Sequence, residues 1–451
     1  MAIDFLLAVF KEREQAEAII WEDRVYTYAW LLERFAYWQQ RIEAEHIKPG
    51  TVVIVEADFS PNAVALFLAL ADRNCILVPL TASLAAKRAT FIAIAEGEVT
   101  VGVDQADVVT IAHLDSRAKH PLYKQLRRSG HAGLVLFSSG STGESKAGVH
   151  DLVRLLDKFR VPRQGLRTVS FLLYDHIGGV NTMLYTLSNG GCLVTIRERS
   201  PDEVLAAISK YHVELLPTSP TFINLILLSE AYRRHDLSSL KTVTYGTESM
   251  PESTLQRFNQ LFPHIKLQQT YGLSEIGIMR SRSKASNSLW VRLGGEGFQT
   301  RVVDGILHIK AASAMLGYLN APSPFTDDGW FNTGDAVETD GEFMKILGRR
   351  SELINVGGEK VYPAEVESVI GELESVADVT VLGESNAIMG SIVCAKILPA
   401  STLDEMQKKA LAADIKRYCG ERLERYKVPV KISFTDDHAL GPRLKKTRKL
   451  S

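Results

Sequence analysis

The run Ser138-Ser139-Gly140-Ser141-Thr142-Gly143, with Lys146 just beyond it, gathers hydroxyls, glycines and a cation in one short stretch. Glycines let backbone N–H groups come close to a phosphate, the hydroxyls can donate to it, and Lys146 supplies positive charge. This is the chemistry of a phosphate cradle. The apolar residues Leu134-Val135-Leu136-Phe137 directly before it read as a buried strand that would present the turn at its end. The spacing is not that of a Walker loop, which needs four residues between its first glycine and Gly-Lys-Ser/Thr. Here two residues separate Gly140 from Gly143, and Lys146 stands between Ser145 and Ala147. A kinase or GTPase reading therefore loses its support, and a plain Ser/Gly surface turn remains the structural alternative.

A second cluster is Tyr271-Gly272-Leu273-Ser274-Glu275. The ring of Tyr271 can stack on a purine, Ser274 can donate to a phosphate, and Glu275 is placed to hold Mg²⁺ beside it. A single glutamate is usually only solvated; behind a phosphate cradle it reads as a ligand. His176 and the pair Gly178-Gly179 follow a strand expected to end at Asp175, where an α/β sheet presents ligand groups, although a histidine there serves equally well as a structural residue. Asp335, in Trp330-Phe331-Asn332-Thr333-Gly334-Asp335, could accept from two vicinal hydroxyls. Gly357-Gly358 permit close backbone approach.

Taken in order, these motifs resemble the adenylate-forming superfamily of acyl- and aryl-CoA synthetases, carrier-protein-loading adenylation domains and luciferases. The cradle is similar to the family's Thr-Ser-Gly-Thr/Ser-Thr-Gly-x-Pro-Lys-Gly, with Ser145 at the usual proline and Ala147 before the glycine. The resemblance implies that Tyr245, Gly246, Thr247 and Glu248 wall off adenine from the acyl group. It further implies that Thr218, His176, Gly178 and Gly179 lie on the acyl side, that Asp335 binds the ribose, and that Arg349 lies near ribose and phosphate. Gly357 and Gly358 would border a pantetheine channel. Amino-acid-activating members carry an aspartate near the position of His176; gapless alignment puts His176 there rather than Asp175, which favours an acyl or aryl acid. The family's terminal lysine, which bridges carboxylate and α-phosphate, falls on Arg448 by direct counting from Pro442 and on Lys449 with one inserted residue. Lys449 is preferred, with Arg448 and Lys446 as alternatives. Where the family has an aspartate pair at its hinge, this chain has Ser351 and Glu352.

The elements that must position these groups follow from pattern. Thr51 to Glu56 and Cys75 to Pro79 read as buried strands, and Pro61 to Asp72 reads as a helix started by Ser60-Pro61. This rhythm predicts a mostly parallel sheet with helices on its faces. Residues 121–130 look basic and irregular. Further strand–helix pairs are expected at 190–211, 213–230 and from 241. From Gly294, Asp304-Gly305 and Asp340-Gly341 signal hairpins of a small antiparallel region. The fold expected is α/β, with a large unit of αβ layers over residues 1–349 and a small mobile α+β unit over 350–451.

Composition excludes several classes. With 451 residues, 45% hydrophobic, the chain can bury a large core and is too long for one compact unit. A net charge of −1 gives no field that favours nucleic acid, and the basic run from Arg443 to Lys449 reads first as a solvated tail. Cys75, Cys192, Cys394 and Cys419 are too scattered for a zinc site or a disulfide framework. The N-terminus lacks signal-peptide character and no apolar run approaches the about 20 residues of a membrane span, so a cytoplasmic location is expected. The function implied is ATP- and Mg²⁺-dependent activation of a carboxylic acid to acyl-AMP, then transfer to the thiol of CoA or of a phosphopantetheinyl carrier protein. A nucleotide-binding pseudoenzyme or regulatory subunit and an amino-acid-activating protein are the alternatives. Nothing supports a luciferase-like oxygenase.

Overall fold

Strands that read as unbroken apolar runs must be covered on both faces, and alternation along each strand shows by what. In the computed structural model, which describes residues 2–139, 144–386 and 389–436, Val53 and Val55 of Val52–Glu56 face one core while Val52 and Ile54 face another. Leu134 and Leu136 of Gly133–Ser139 divide from Val135 and Phe137 in the same way. The shared core is roofed by a second sheet, whose Ile19 and Leu193 point inward and whose Ile20 and Val194 point outward. Between the sheets lie the helices Tyr28–Ala44, Pro61–Asp72 and Ile177–Ser188. Pro61–Asp72 is apolar almost all round because it is buried all round.

Among the described residues each of these sheets has seven strands, where the sequence suggested one sheet. One runs Gly317–Tyr318, Ser145–Asp151, Gly133–Ser139, Ile76–Leu80, Val52–Glu56, Val99–Val103, Val109–His113. The other runs Lys266–Gln269, Thr242–Tyr245, Leu215–Thr218, Arg167–Val169, Cys192–Val194, Glu17–Trp21, Arg24–Thr27. Their centres are parallel; antiparallel strands close both edges of the first sheet and the Arg24–Thr27 edge of the second, whose Lys266–Gln269 edge is parallel. Two local expectations are corrected. Residues Pro121–Ser129 form a helix: His120 caps it, Pro121 starts it, Gly130 ends it in the left-handed region, and Tyr123 and Leu126 anchor it. The strand expected to reach Asp175 ends at Val169, and the chain runs irregularly from there to His176.

Six antiparallel strands follow, beginning at Arg280 and thus earlier than the Gly294 expected. Asp304 and Gly305 both have positive φ, 50° and 73°, as a two-residue type I′ hairpin requires. Among the described residues the remainder builds a five-stranded sheet with the helices Pro363–Ile370 and Glu405–Arg422 over its own core of Val366, Ile370, Val381, Ile397 and Ile415. It touches the larger part where the backbone N–H of Ser253 donates to Ser368 Oγ at 3.2 Å. All four cysteines are free and buried. Among the described residues no helix is long and apolar enough to cross a membrane.

His150, on Ser145–Asp151, is completely buried, and burial pushes its imidazole from 6.5 down to about 4. As pH falls from 6.5 towards 4 the unfolded chain therefore takes up a proton before the folded one does. Folding stability is expected to drop by roughly 3 kcal/mol across that window. Denaturant unfolding at pH 7 and pH 4 measures the drop, and His150→Leu should diminish it by about that amount.

Candidate active site

The strand carrying Lys146 is fixed from two sides. Ser138 pairs directly with Lys146 across the antiparallel ladder, so the two side chains share a face. Beyond it, Asn320 accepts from Ala147 N–H at 3.0 Å and donates to the Ser145 carbonyl at 2.9 Å. The Lys146 ammonium then lies 5.4 Å from the centre of the Tyr318 ring, and the Tyr318 hydroxyl donates to Glu275 Oε1 at 2.6 Å. Burial, and then the bond to Glu275, push the Tyr318 hydroxyl well up, so it stays a donor. Lys146, Tyr318 and Glu275 thus form one connected group. Ser274 and Glu275 sit in the tight loop between the paired segments Gly272–Leu273 and Gly277–Ile278. Gly272 has its own packing reason: a Cβ there would come within 2.5 Å of Ile278.

A second group forms around Asp335, which is 7% exposed. The Tyr271 hydroxyl donates to Asp335 Oδ2 at 2.5 Å, Arg349 Nε stands 3.5 Å from Oδ1, and Thr333 Oγ accepts from the Asp335 N–H at 3.0 Å. Burial raises the carboxyl's pKa, while Tyr271 and Arg349 oppose that rise. Tyr271, expected to offer its ring face to a purine, is buried in one cluster with Ile276, Met279 and Val291, and its hydroxyl bonds Asp335.

The expected wall divides by strand alternation. Tyr245 lies in the outer core of its sheet and its neighbour in register is Thr218; both hydroxyls are buried and without a hydrogen-bond partner among the described residues. Their neighbours Pro217 and Thr244 face the other way, into a cavity of about 1220 Å³ that Thr270, Asn181, Thr182 and Tyr185 also line. Gly246 lets Thr270 approach, since a Cβ would lie 2.7 Å from its carbonyl oxygen. Thr247 is exposed and holds φ +75°, a costly conformation for a β-branched residue and one that functional sites concentrate. Glu248 Oε1 accepts from Thr221 N–H at 2.9 Å, tying this turn to the helix Pro220–Ser229.

His176 is the N-cap of Ile177–Ser188, its Nδ1 accepting from Gly178 N–H at 3.1 Å. Gly178 and Gly179 are buried against Leu172 and Leu173. Asp175 lies behind them, 2% exposed and accepting from Thr81 Oγ at 2.9 Å. Neither Asp175 nor the expected acyl-side residues His176, Gly178 and Gly179 are among the residues lining the cavity. Gly357 and Gly358, both with positive φ, form the exposed tip between Ile354–Val356 and Glu359–Val361. Gly140, Ser141, Thr142 and Gly143, with Lys446, Arg448 and Lys449, lie outside the described residues; of Ser139, the backbone pairs with Ser145. Sequence reasoning missed Tyr318 and Asn320. The only signal was their place in Gly317-Tyr318-Leu319-Asn320, which looks like an ordinary strand end.

Magnesium suits this geometry. Glu275 offers a hard carboxylate with one oxygen engaged by Tyr318, and among the described residues no group of three or more His, Cys, Asp or Glu is placed to cage a metal. One carboxylate completed by water and phosphate oxygens is the usual way Mg²⁺ is held.

The protein family described as AMP-binding enzyme matches residues 7–319, and its C-terminal domain matches residues 365–449. Indoleacetate–CoA ligase of Aromatoleum aromaticum is 26% identical over 333 residues, 67% of this chain and 63% of that protein. The matched chain therefore spans less than two thirds of that relative. Long-chain-fatty-acid–CoA ligase FadD13 of Mycobacterium tuberculosis is 25% identical, with 83% of each chain covered. The solved structure of the anthranilate CoA ligase AuaEII with anthranoyl-AMP shares the fold, with a TM-score of 0.83 at 19% identity over 99% of this chain and 95% of the other. This chain belongs to the AMP-binding enzyme family, within the adenylate-forming superfamily whose motifs it carries.

Proposed function

We propose that the protein is an AMP-forming acid–thiol ligase that converts a carboxylic acid to its acyl-AMP and passes the acyl group to CoA. The observation that carries this reading is the pairing of two built groups. Lys146–Tyr318–Glu275 lies at the end of the cradle strand, and Tyr271–Asp335–Arg349 can hold a ribose. In the first half-reaction a carboxylate oxygen attacks the α-phosphorus of ATP and pyrophosphate leaves. In the second, a thiol sulfur attacks the acyl carbon, AMP leaves and the thiol proton is released. Lys146 holds positive charge where two anions must meet, and Tyr318 keeps Glu275 in one orientation. Mg²⁺ held at Glu275 would neutralise charge on the phosphate oxygens. CoA is preferred over a carrier protein's phosphopantetheine because the named relatives are CoA ligases.

ATP–pyrophosphate exchange across aryl, short-, medium- and long-chain acids and amino acids tests the first half, and thioester formation with CoA or a loaded carrier protein tests the second. Exchange with no acid, despite measurable ATP binding, would overturn the reading in favour of a nucleotide-binding pseudoenzyme. Lys449→Ala, Arg448→Ala and Lys446→Ala identify the tail cation. We further propose that residues 350–451 are a separate small domain that turns about the Arg350–Glu352 segment between the two half-reactions. Ser351→Pro is expected to leave exchange intact and to lower single-turnover thioester formation at least tenfold. Unchanged thioester formation in a normally folded variant would exclude the turn.

A further inference from the structure

One half-buried cation plays no part in the chemistry above. Lys158 is part-buried in the wall of the 1220 Å³ cavity. Its ammonium donates to Asn181 Oδ1 and, at 3.0 Å, to the Ile278 carbonyl, with the Phe159 ring centre 4.9 Å away. An ammonium carries three donors, so one remains. Among the described residues no carboxylate pairs with Lys158; its neighbour Asp157 turns to Arg160 at 3.6 Å. Burial, and then the nearby charge of Arg163, lower the Lys158 ammonium to about 7. The other charged groups of the lining are Arg154, Arg163 and Arg280 against Asp157 and Glu296, so cations exceed anions. A cavity for purely apolar chains gains nothing from such a lining, because an unpaired buried charge costs free energy that only a partner recovers.

The cavity runs along the inner face of the strands from Thr270, beside Gly246, back to Leu166 at the start of Arg167–Val169. Asn181, the partner of Lys158, stands five residues beyond His176 on the same helix, an axial rise of about 7.5 Å. We propose that the acid activated here carries a second acidic group, at the end remote from the reacting carboxylate, which pairs with Lys158. This rests on the ligase reading and on this cavity's holding the acyl part. Lys158 would be a specificity-determining residue, and the substrate class a compact aliphatic or aromatic diacid.

The test is ATP–pyrophosphate exchange by the full chain with matched acids: adipate against hexanoate, and benzene-1,4-dicarboxylate against 4-methylbenzoate. The diacid of a pair is expected to show a kcat/KM greater on the order of 10²-fold. Lys158→Met should abolish that preference while leaving the monoacid's kcat/KM unchanged or raised, and Lys158→Arg should keep the preference. Equal or better exchange with the monoacids overturns the proposal while the ligase reading stands. Equal losses for both acids in Lys158→Met would make Lys158 a strut between Asn181 and Ile278, and would also overturn it. If Lys158→Met does not fold, the wild-type preference alone decides. Exchange with no acid at all overturns the ligase reading and this proposal together.

Discussion

Glu275→Gln is expected to reduce ATP–pyrophosphate exchange by about 10³-fold while leaving the fold and most ATP affinity intact. The substitution keeps size and an acceptor oxygen, so Tyr318 can still donate to it and the Met315 N–H still reaches the residue 275 carbonyl, at 2.8 Å in the native chain. What is lost is the negative charge that would hold a divalent cation against the phosphates. Because that charge matters most where the transition state gathers negative charge, kcat should fall further than ATP binding. Exchange assays at two Mg²⁺ concentrations, with ATP binding by calorimetry, separate the two effects. Near-normal exchange by Glu275→Gln would remove Glu275 from the site and leave the Lys146–Tyr318–Glu275 group a structural one.

Among the described glycines, Gly179→Ala is expected to be the most damaging substitution to alanine, costing about 3 kcal/mol or more of stability. A Cβ at this position would stand 1.9 Å from the Leu173 carbonyl oxygen and 2.8 Å from that of Leu172. Both obstacles are backbone, so no rotamer change relieves them; either the helix Ile177–Ser188 or the irregular segment before it must shift. That helix contributes Val180, Met183 and Leu187 to the core between the sheets, and the shift would propagate there. Gly178→Ala meets the movable Leu172 side chain at 2.8 Å and should cost less. Urea unfolding of the two variants measures the difference, and equal, small losses would mean that the helix can slide freely.

How much of this could be read in advance depends on the range of the interactions. The helices Pro61–Asp72, Pro201–Tyr211 and Pro220–Ser229 each begin with a serine cap followed by proline, and their starts were legible because that chemistry is local. Pro121–Ser129 was not, because its cap is His120, whose Nδ1 accepts from Leu122 N–H, and because Lys124, Arg127 and Arg128 obscure the spacing of Tyr123 and Leu126. In the candidate site, Tyr271, Glu275 and Asp335 could be named from type and order. Their partnerships could not, since Tyr271 meets Asp335 across 64 residues and Tyr318 meets Glu275 across 43. Resemblance named Thr218 and Tyr245 but not the face they occupy, which only the register of the assembled sheet decides.

The short strand Gly317–Tyr318 has a consequence for how the protein is made. It and Asn320 cover the outer edge of Ser145–Asp151, to which they are joined across as many as 175 residues. On the ribosome that edge emerges early and waits for most of the larger unit to be translated. An unpaired edge next to buried Ala147 and Val149 is an invitation to strands of other chains. Nascent or cleaved chains ending before Gly317 are therefore the form most exposed to aggregation, and shortened versions made for study should extend past Asn320.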